Sequence, residues 1–398
     1  MPRPYKYTVY VFITSELFFI PKNYICRHIC HTLKILQVVT HFDFGGAENH
    51  VRELSNELAA QAHDVYLVGP SGKQIKLLNQ KVHFVQASQL SKLLVFQTFF
   101  LIYLIKKHQI EVIHAHQRLS ILAACWAGFI TGTPVVATVH GRVRFDLRSS
   151  FSRTRTSKII FVSHQVLKVS KYYSEINHKS VVIPNGINFQ KVIPKRIPYG
   201  MAYISRMDSH HKEVVDMLIG LMPDVTASFP QASLWIFGEG KQVEYLKKVA
   251  SQLNQSLHRE VVRICGYVEN FNQQEILPEL VLGVGRVAVE SLANGLNVIS
   301  VNCKRMGSIV NLRNYSAYRL NNFVDINGIP PTRESLLSEI NKFFQNRVQY
   351  KDESILIREK VIQEFNIKTI TLQTMNVYSE ATQKQLQKNV TSSSSHTC

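Results

Sequence analysis

Residues 281–300 read Val281-Leu-Gly283-Val-Gly285-Arg-Val-Ala-Val-Glu290-Ser-Leu-Ala-Asn-Gly295-Leu-Asn297-Val-Ile-Ser300, and this order of residue types decides the fold. An apolar run over Leu280 to Leu282 enters the turn Gly283-Val284-Gly285. A short helical segment follows, carrying Glu290 inward, and Gly295 stops it before a second apolar run at Asn297 to Val301. Strand, glycine turn, helix and strand leave a helix N-terminus free to hold an anion. The glycines let backbone approach a phosphate, and the partial positive charge of the helix end favours it. Glu290 is then placed to accept two ribose hydroxyls.

Two families use such a stretch. Gly283-x-Gly285-x-x-Ala288 fits the dinucleotide-binding fingerprint, which next requires an acidic residue about 20 positions on. After Glu290 the next carboxylate is Asp325, so an NAD enzyme is disfavoured. The run from Gly283 through Glu290 to Gly295 instead resembles the donor-site segment of retaining glycosyltransferases of family 4. That resemblance implies the GT-B fold: α/β, with two doubly wound Rossmann-like domains facing across a cleft. The family brackets its glycine turn with a Glu-x7-Glu pair. Glu290 matches the second Glu, and the first falls on Leu282.

A chain of 398 residues exceeds one ordinary core, so two domains are expected. Apolar content of 45% and charged content of 19% suit a globular protein and exclude general disorder. The formal net charge of +18 favours an anionic partner without choosing among nucleotide, lipid, polymer and nucleic acid. The basic residues are dispersed and no nucleic-acid recognition module is visible, so nucleic acid is not expected. Six scattered cysteines form no disulfide framework; Cys125 and Cys265 read as buried thiols, a cytosolic pattern. Cys26-Arg-His-Ile-Cys30-His31 has no second cluster at zinc spacing, so no metal site is expected there.

Taken in order, residues 1–31 form an extension that is poorly ordered or reflects a start assigned too early. Its apolar run Tyr7 to Ile20 is short of the ~20 residues that span a bilayer, and a loose membrane contact is the alternative. The N-terminal, acceptor-side domain is expected over 32–190. Its strands are Lys34–Thr40, Asp64–Val68, Val82–Gln86, Glu111–His114, Pro134–Val139, Lys158–Val162 and Ser180–Ile183, with helices between most of them. The helix Leu93–Ile105 is the most apolar; it reads as buried in the first domain, with a membrane-dipping helix as the alternative. Phe189 to Tyr199 reads as a linker. The C-terminal, nucleotide-sugar-binding domain is expected over 198–366. Its strands are Ala202–Ile204, Ser233–Phe237, Val261–Ile264 and Asn297–Val301, and its helices Glu213–Phe229, Gln242–Gln255, Arg333–Gln345 and Ser354–Phe365. Residues 369–387 form an amphipathic stretch that can pack back on the first domain, and 388–398 a disordered tail. Strands alternating with helices mean parallel sheets with ligands at their carboxyl ends.

Several strand ends carry chemistry. Arg206 and Lys212 follow the first strand of the second half, where two cations suit a diphosphate; they resemble the family's Arg-x5-Lys pyrophosphate site. Gly238 and Gly240 resemble the family's Gly-x-Gly turn under the donor, and Cys265-Gly266-Tyr267-Val268 stands where the family's backbone meets the nucleobase. Gly45-Gly46 opens the first helix and can offer backbone N–H groups to developing charge. His116, His140 and His164 end strands and are expected to crowd one cleft. His140 resembles the family's residue facing the reacting sugar, His116 is placed on the acceptor side, and His164 reads as structural. Five arginines and Lys158 against Asp146, including Arg142 and Arg144, mark a basic loop for an anionic acceptor or a membrane surface.

The resemblance therefore implies transfer of a sugar from a nucleotide-diphosphate sugar, with retention, to a saccharide or lipid-linked acceptor. Bacterial surface polysaccharide assembly is the expected setting. Catalytic roles fall to His140, Arg206, Lys212 and Glu290. Donor contacts fall to Gly45, Gly46, Gly238, Gly240, Gly283 and Gly285 beside Arg206, Lys212 and Glu290. No Asp-x-Asp motif is present, and metal independence with no cofactor is expected. The location implied is cytoplasmic, peripheral on the inner face of the membrane. Alternatives are a non-catalytic GT-B protein that binds nucleotide and a sugar-nucleotide epimerase. Sugar, base, acceptor and linkage are not legible.

Overall fold

The structure, a computed structural model, describes residues 32–394 apart from 44, 88–92, 142–146, 190–192, 269–270 and 272–273. Val-, Ile- and Leu-rich runs form two sheets whose central strands are buried on both faces, as parallel strands covered by helices must be. The first sheet has the order β3-β2-β1-β4-β5-β6-β7. Its strands are β1 (Lys34–Val38), β2 (Asp64–Gly69), β3 (His83–Gln86), β4 (Val112–His116), β5 (Val135–Val139), β6 (Lys158–Phe161) and β7 (Ser180–Val182), all paired in parallel. The second has the order β10-β9-β8-β11-β12-β13, from β8 (Lys195–Ile204), β9 (Ser233–Phe237), β10 (Val262–Gly266), β11 (Ile276–Gly283), β12 (Asn297–Val301) and β13 (Met306–Ile309). Among the described strands only β13 runs antiparallel, against β12.

The longer helices are α1 (Gly46–Ala60), α2 (Leu94–His108), α3 (Arg118–Thr131), α4 (Ser209–Ser228), α5 (Val243–Ser256), α6 (Arg286–Ala293), α7 (Arg333–Gln345), α8 (Arg347–Phe365) and α9 (Ile367–Ser394). α4 begins earlier than the expected Glu213 because Asp208 caps it, its carboxylate accepting from the N–H groups of His210 and His211, both at 3.1 Å. The linker expected to reach Tyr199 is shorter: Lys195 already pairs with Ile276 in β8. The tail expected from 388 is helical through Ser394 in α9.

Two apolar layers flank each sheet. The layer under β1 and β2 draws Val51, Leu54 and Leu58 from α1 and, from the far end of the chain, Ile370, Val377 and Tyr378 of α9. The crossing is stitched by backbone: Ile187 N–H donates to Phe365 O at 2.8 Å and Ile367 N–H to Ile187 O at 3.0 Å. α9 thus completes the first domain's core after the chain has built the second.

α2 departs from expectation. Leu101, Leu104 and Ile105 are buried, but Val95, Phe96, Phe99 and Tyr103 on its outer side are more than half exposed, Phe99 at 65%. It is an outer-layer helix packed on the sheet and on α3, and its far face is uncovered among the described residues. Trp126, Phe129 and Ile130 of α3 extend that face.

Each sheet reverses its strand order once, between β1 and β4 in the first and between β8 and β11 in the second. At such points the loops leave in opposite directions and open a crevice at the strands' carboxyl ends. The two crevices face each other.

Candidate functional site

A cavity of about 870 Å³ lies where the crevices meet. From the first domain come Gly45, Gly46, Asn49, Arg52 and Glu53, the start and first turns of α1. From the second come Ser205 and Arg206 after β8, Phe237, Gly238 and Glu239 after β9, Tyr267 and Val268 after β10, and Arg286, Val287 and Glu290 of α6. That size suits a ligand of cofactor or nucleotide dimensions. A Cβ placed on Gly45 would stand 3.5 Å from Arg206 Nη2, and one on Gly46 would stand 3.9 Å from Arg286 Cβ. The first domain's helix start therefore abuts the second domain's cations.

Two glycines are required by the backbone. Gly238 has φ 146° and lies so close to the Ser205 carbonyl that a Cβ would overlap it. Gly285 caps α6 at φ 61°. Its N–H donates to Asn322 O at 2.9 Å, so that amide is already engaged.

Among the described residues, charge on the cavity wall is balanced: Arg52, Lys73, Arg206 and Arg286 face Asp43, Glu53, Glu239 and Glu290. Arg286 is the hub. Its Nε donates to Glu290 Oε1 at 2.6 Å, one helical turn on, and its Nη2 to Glu53 Oε1 on α1 of the other domain at 2.8 Å. Arg52 Nη2 donates to the same Glu53 oxygen at 3.0 Å. The side chains of Arg286 and Glu53 are 11% and 9% exposed. Burial raises the Glu290 carboxyl above its ordinary range, while Arg286 opposes that. Burial works against the Arg286 guanidinium, but Glu53 and Glu290 outweigh it and hold it charged. Glu53 Oε2 and Arg286 Nη1 are buried without a hydrogen-bond partner.

Other expected residues lie elsewhere. Lys212 does not line the cavity; its ammonium donates to Asp216 at 2.6 Å and sits 4.1 Å over the Tyr245 ring, because on α4 the i+4 carboxylate is nearer than the cleft. Gly240 packs on Met207 backbone in the turn below the cavity, and Gly283 ends β11 just before the Gly285 turn. Leu282 is fully buried in the core of the second domain. Arg142 and Arg144 lie outside the described residues. Cys265 is half-buried and Cys125 fully so. His164 is exposed and lines a separate, smaller cavity with Arg305 and Leu320, so it does not join the cleft.

His116 and the half-buried His140 stack behind the cavity and do not line it. His116 is fully buried, its Nε2 bonding Gln37 at 2.8 Å and its Nδ1 meeting His140 Nε2 at 3.1 Å. His114 bonds Tyr378 of α9 at 2.6 Å and Thr138 at 2.7 Å. The His50 ring stands 5.8 Å from that of His140. Burial holds His114 down at about 3 and His140 at about 4, and His50 and His116 well below their usual value. The acceptor role read for His116 has no surface to act from in this arrangement. Glu53 and Arg52 carried no local signal in the sequence. Arg286 carried one, its i,i+4 spacing from Glu290.

Two parallel-sheet domains meeting across such a cavity are the GT-B fold of glycosyltransferases. An Anabaena protein, HepE, solved in complex with UDP, superposes with a TM-score of 0.66 at 17% identity, over 87% of this chain and all of the other. The model of Glycosyltransferase Family 4 matches residues 44–191, most of the first domain. Among curated relatives, one component of the phosphatidylinositol N-acetylglucosaminyltransferase of Homo sapiens is 25% identical over 322 residues, 72% of this chain and 64% of its own length. Phosphatidyl-myo-inositol mannosyltransferase of Propionibacterium freudenreichii is 24% identical over 292 residues, 65% of this chain and 74% of its own. The chain thus spans less than two thirds of the human relative.

Proposed function

We propose that the chain transfers a sugar from a nucleoside diphosphate sugar, with retention and without a metal ion, to a saccharide or lipid-linked acceptor of a cell envelope. One observation carries the reading: the Gly45–Gly46 helix start, Arg206, the turn before α6 and Glu290 line or border one cavity at the switch points of both sheets. In such a site the departing diphosphate rests on Arg206 and the two helix starts, and the ribose on Glu290. Catalysis then comes from positioning both substrates and stabilising the leaving group. The UDP in the complex of HepE, a protein of the same fold, supports a nucleotide in this cavity.

The acceptor side points to a membrane surface. The uncovered face of α2 and α3 is apolar and aromatic, and neither helix carries an Asp or Glu. Lys106 and Lys107 close α2, and Arg155 lies 4.0 Å over Phe129. Apolar area rimmed by cations is the composition that binds anionic lipid interfaces. Both relatives above carry phosphatidylinositol or phosphatidyl-myo-inositol in their names. No helix among the described residues is long and apolar enough to cross a membrane.

Leu282 favours a second reading. A carboxylate that would contact the donor sugar is replaced by a core leucine, which suits a protein that binds nucleotide without turnover. Thermal stabilisation by UDP, GDP, ADP, CMP and NAD, all with EDTA, on wild type and Glu290→Ala tests both. A ligand at 100 times its Kd adds about 2.7 kcal/mol. One nucleoside diphosphate stabilising wild type but not the variant is expected. Its sugar conjugate should then be consumed only when acceptor is present; consumption with no acceptor indicates an epimerase, and binding without consumption a non-catalytic binder. Stabilisation by NAD alone, or by nothing, overturns the nucleotide-sugar reading.

A further inference from the structure

The expected partner of Arg206 at a diphosphate is missing from the cavity lining, since Lys212 pairs with Asp216 of α4 and lies over Tyr245 of α5. The cavity supplies three other cations among its described residues. Lys73 is exposed on the rim beside Glu239. Arg52 shares the Glu53 oxygen on α1. Arg286 alone of the three stands on the second domain, at the first position of α6, directly after the glycine turn and opposite Gly46. It is also the one with a buried N–H group, Nη1, that has no partner.

The resting pairing of Arg286 makes a second demand. With four cations and four carboxylates among the described residues of its wall, the cavity has no net positive charge waiting for an anion. A diphosphate that enters competes with those carboxylates for their cations. Glu290 shares the helix with Arg286 and is positioned by it. Glu53 belongs to the other domain, and one of its oxygens is buried with no partner at all, which makes its burial the costlier one to keep.

We propose that Arg286, not Lys212, is the second cation of the donor diphosphate site, and that the diphosphate takes it from Glu53. The guanidinium fork then holds Glu290 through Nε and the distal phosphate through Nη1 and Nη2. Loss of the Glu53–Arg286 contact removes an ion pair that ties the domains together, so donor binding and domain separation are coupled through one side chain. This rests on the nucleotide-sugar reading above.

The test is calorimetric binding of UDP, GDP and ADP, each against its own monophosphate, to the whole chain and four variants. For the nucleotide that wild type binds, Arg286→Gln should weaken the diphosphate about tenfold or more and the monophosphate much less, the loss of charge-assisted bonds to one phosphate. Lys212→Gln should leave the diphosphate-to-monophosphate ratio unchanged. Glu53→Gln, which frees the guanidinium of its rival, should strengthen the diphosphate severalfold and leave the monophosphate unchanged. Glu53 also holds Arg52, so the gain is read again with Arg52→Gln added to Glu53→Gln: it persists if Arg286 is the released cation, and its disappearance would overturn the assignment even where Arg286→Gln does not fold. The assignment is overturned if Arg286→Gln lowers both nucleotides alike, if Lys212→Gln collapses the ratio, or if Glu53→Gln does not tighten the diphosphate. Wild type binding none of the three diphosphates would instead remove the donor reading beneath it.

Discussion

His50, His114, His116 and His140 are held neutral inside the first domain, and this has a definite pH signature. Their folded values lie below the unfolded value of about 6.5, so below that pH the unfolded chain binds more protons. Their contribution is complete above pH 6.5 and is lost as pH falls toward the folded values, about 4 for His140 and about 3 for His114. Each costs about 1.4 kcal/mol per pH unit once well below 6.5. Urea midpoints measured between pH 7 and 5, above most carboxylate titration, should fall steeply; a flat profile would mean the histidines are not buried as described. At this scale the sequence was legible where a motif is local. Arg206, Gly238, Gly285 and Glu290 stand within a few residues of the strand ends that place them. Glu53 was not, because its partner lies 233 residues away on the other domain. Lys212 was misplaced because a spacing of six along the chain does not say which side of a helix the second residue takes.

Among the elements, parallel strands were the most readable. Burial on both faces gives unbroken apolar runs, and β9 and β12 fall at the expected residues. β13, Met306-Gly-Ser-Ile309, was not expected: it is a four-residue antiparallel edge with no apolar run of its own. α2 shows the opposite failure. A helix apolar all round reads as buried, but composition cannot say whether anything covers its far face. That face carries its own prediction. Phe96→Ser with Phe99→Ser should lower co-flotation with phosphatidylglycerol-containing liposomes about tenfold or more, since each ring contributes about 1.5–3 kcal/mol on leaving water. The fold should be unaffected, because both rings are already exposed. Equal flotation of variant and wild type would remove the membrane from this face.

For the whole molecule, the division into two halves was legible from the repeated strand–helix alternation. The dependence of the first half on the last helix was only suggested by amphipathicity. Ile370 and Tyr378 are fully buried in the first domain's core, and Tyr378 also holds Gln37 and His114. A chain ending after Phe365 should therefore lose the first domain's unfolding transition in calorimetry while keeping the second's. Side chains of this kind supply about 1.5–3 kcal/mol each. Two transitions unchanged by the truncation would show α9 to be dispensable. The same crossing sets an order of events during synthesis. Domains usually fold from the N-terminus as the chain leaves the ribosome. Here β1 to β7 emerge first yet wait, with one face only partly covered by α1, until the second domain has been made and α9 has cleared the exit tunnel. The half of the protein born first is the last to be finished, and in that interval it is the half that needs a chaperone.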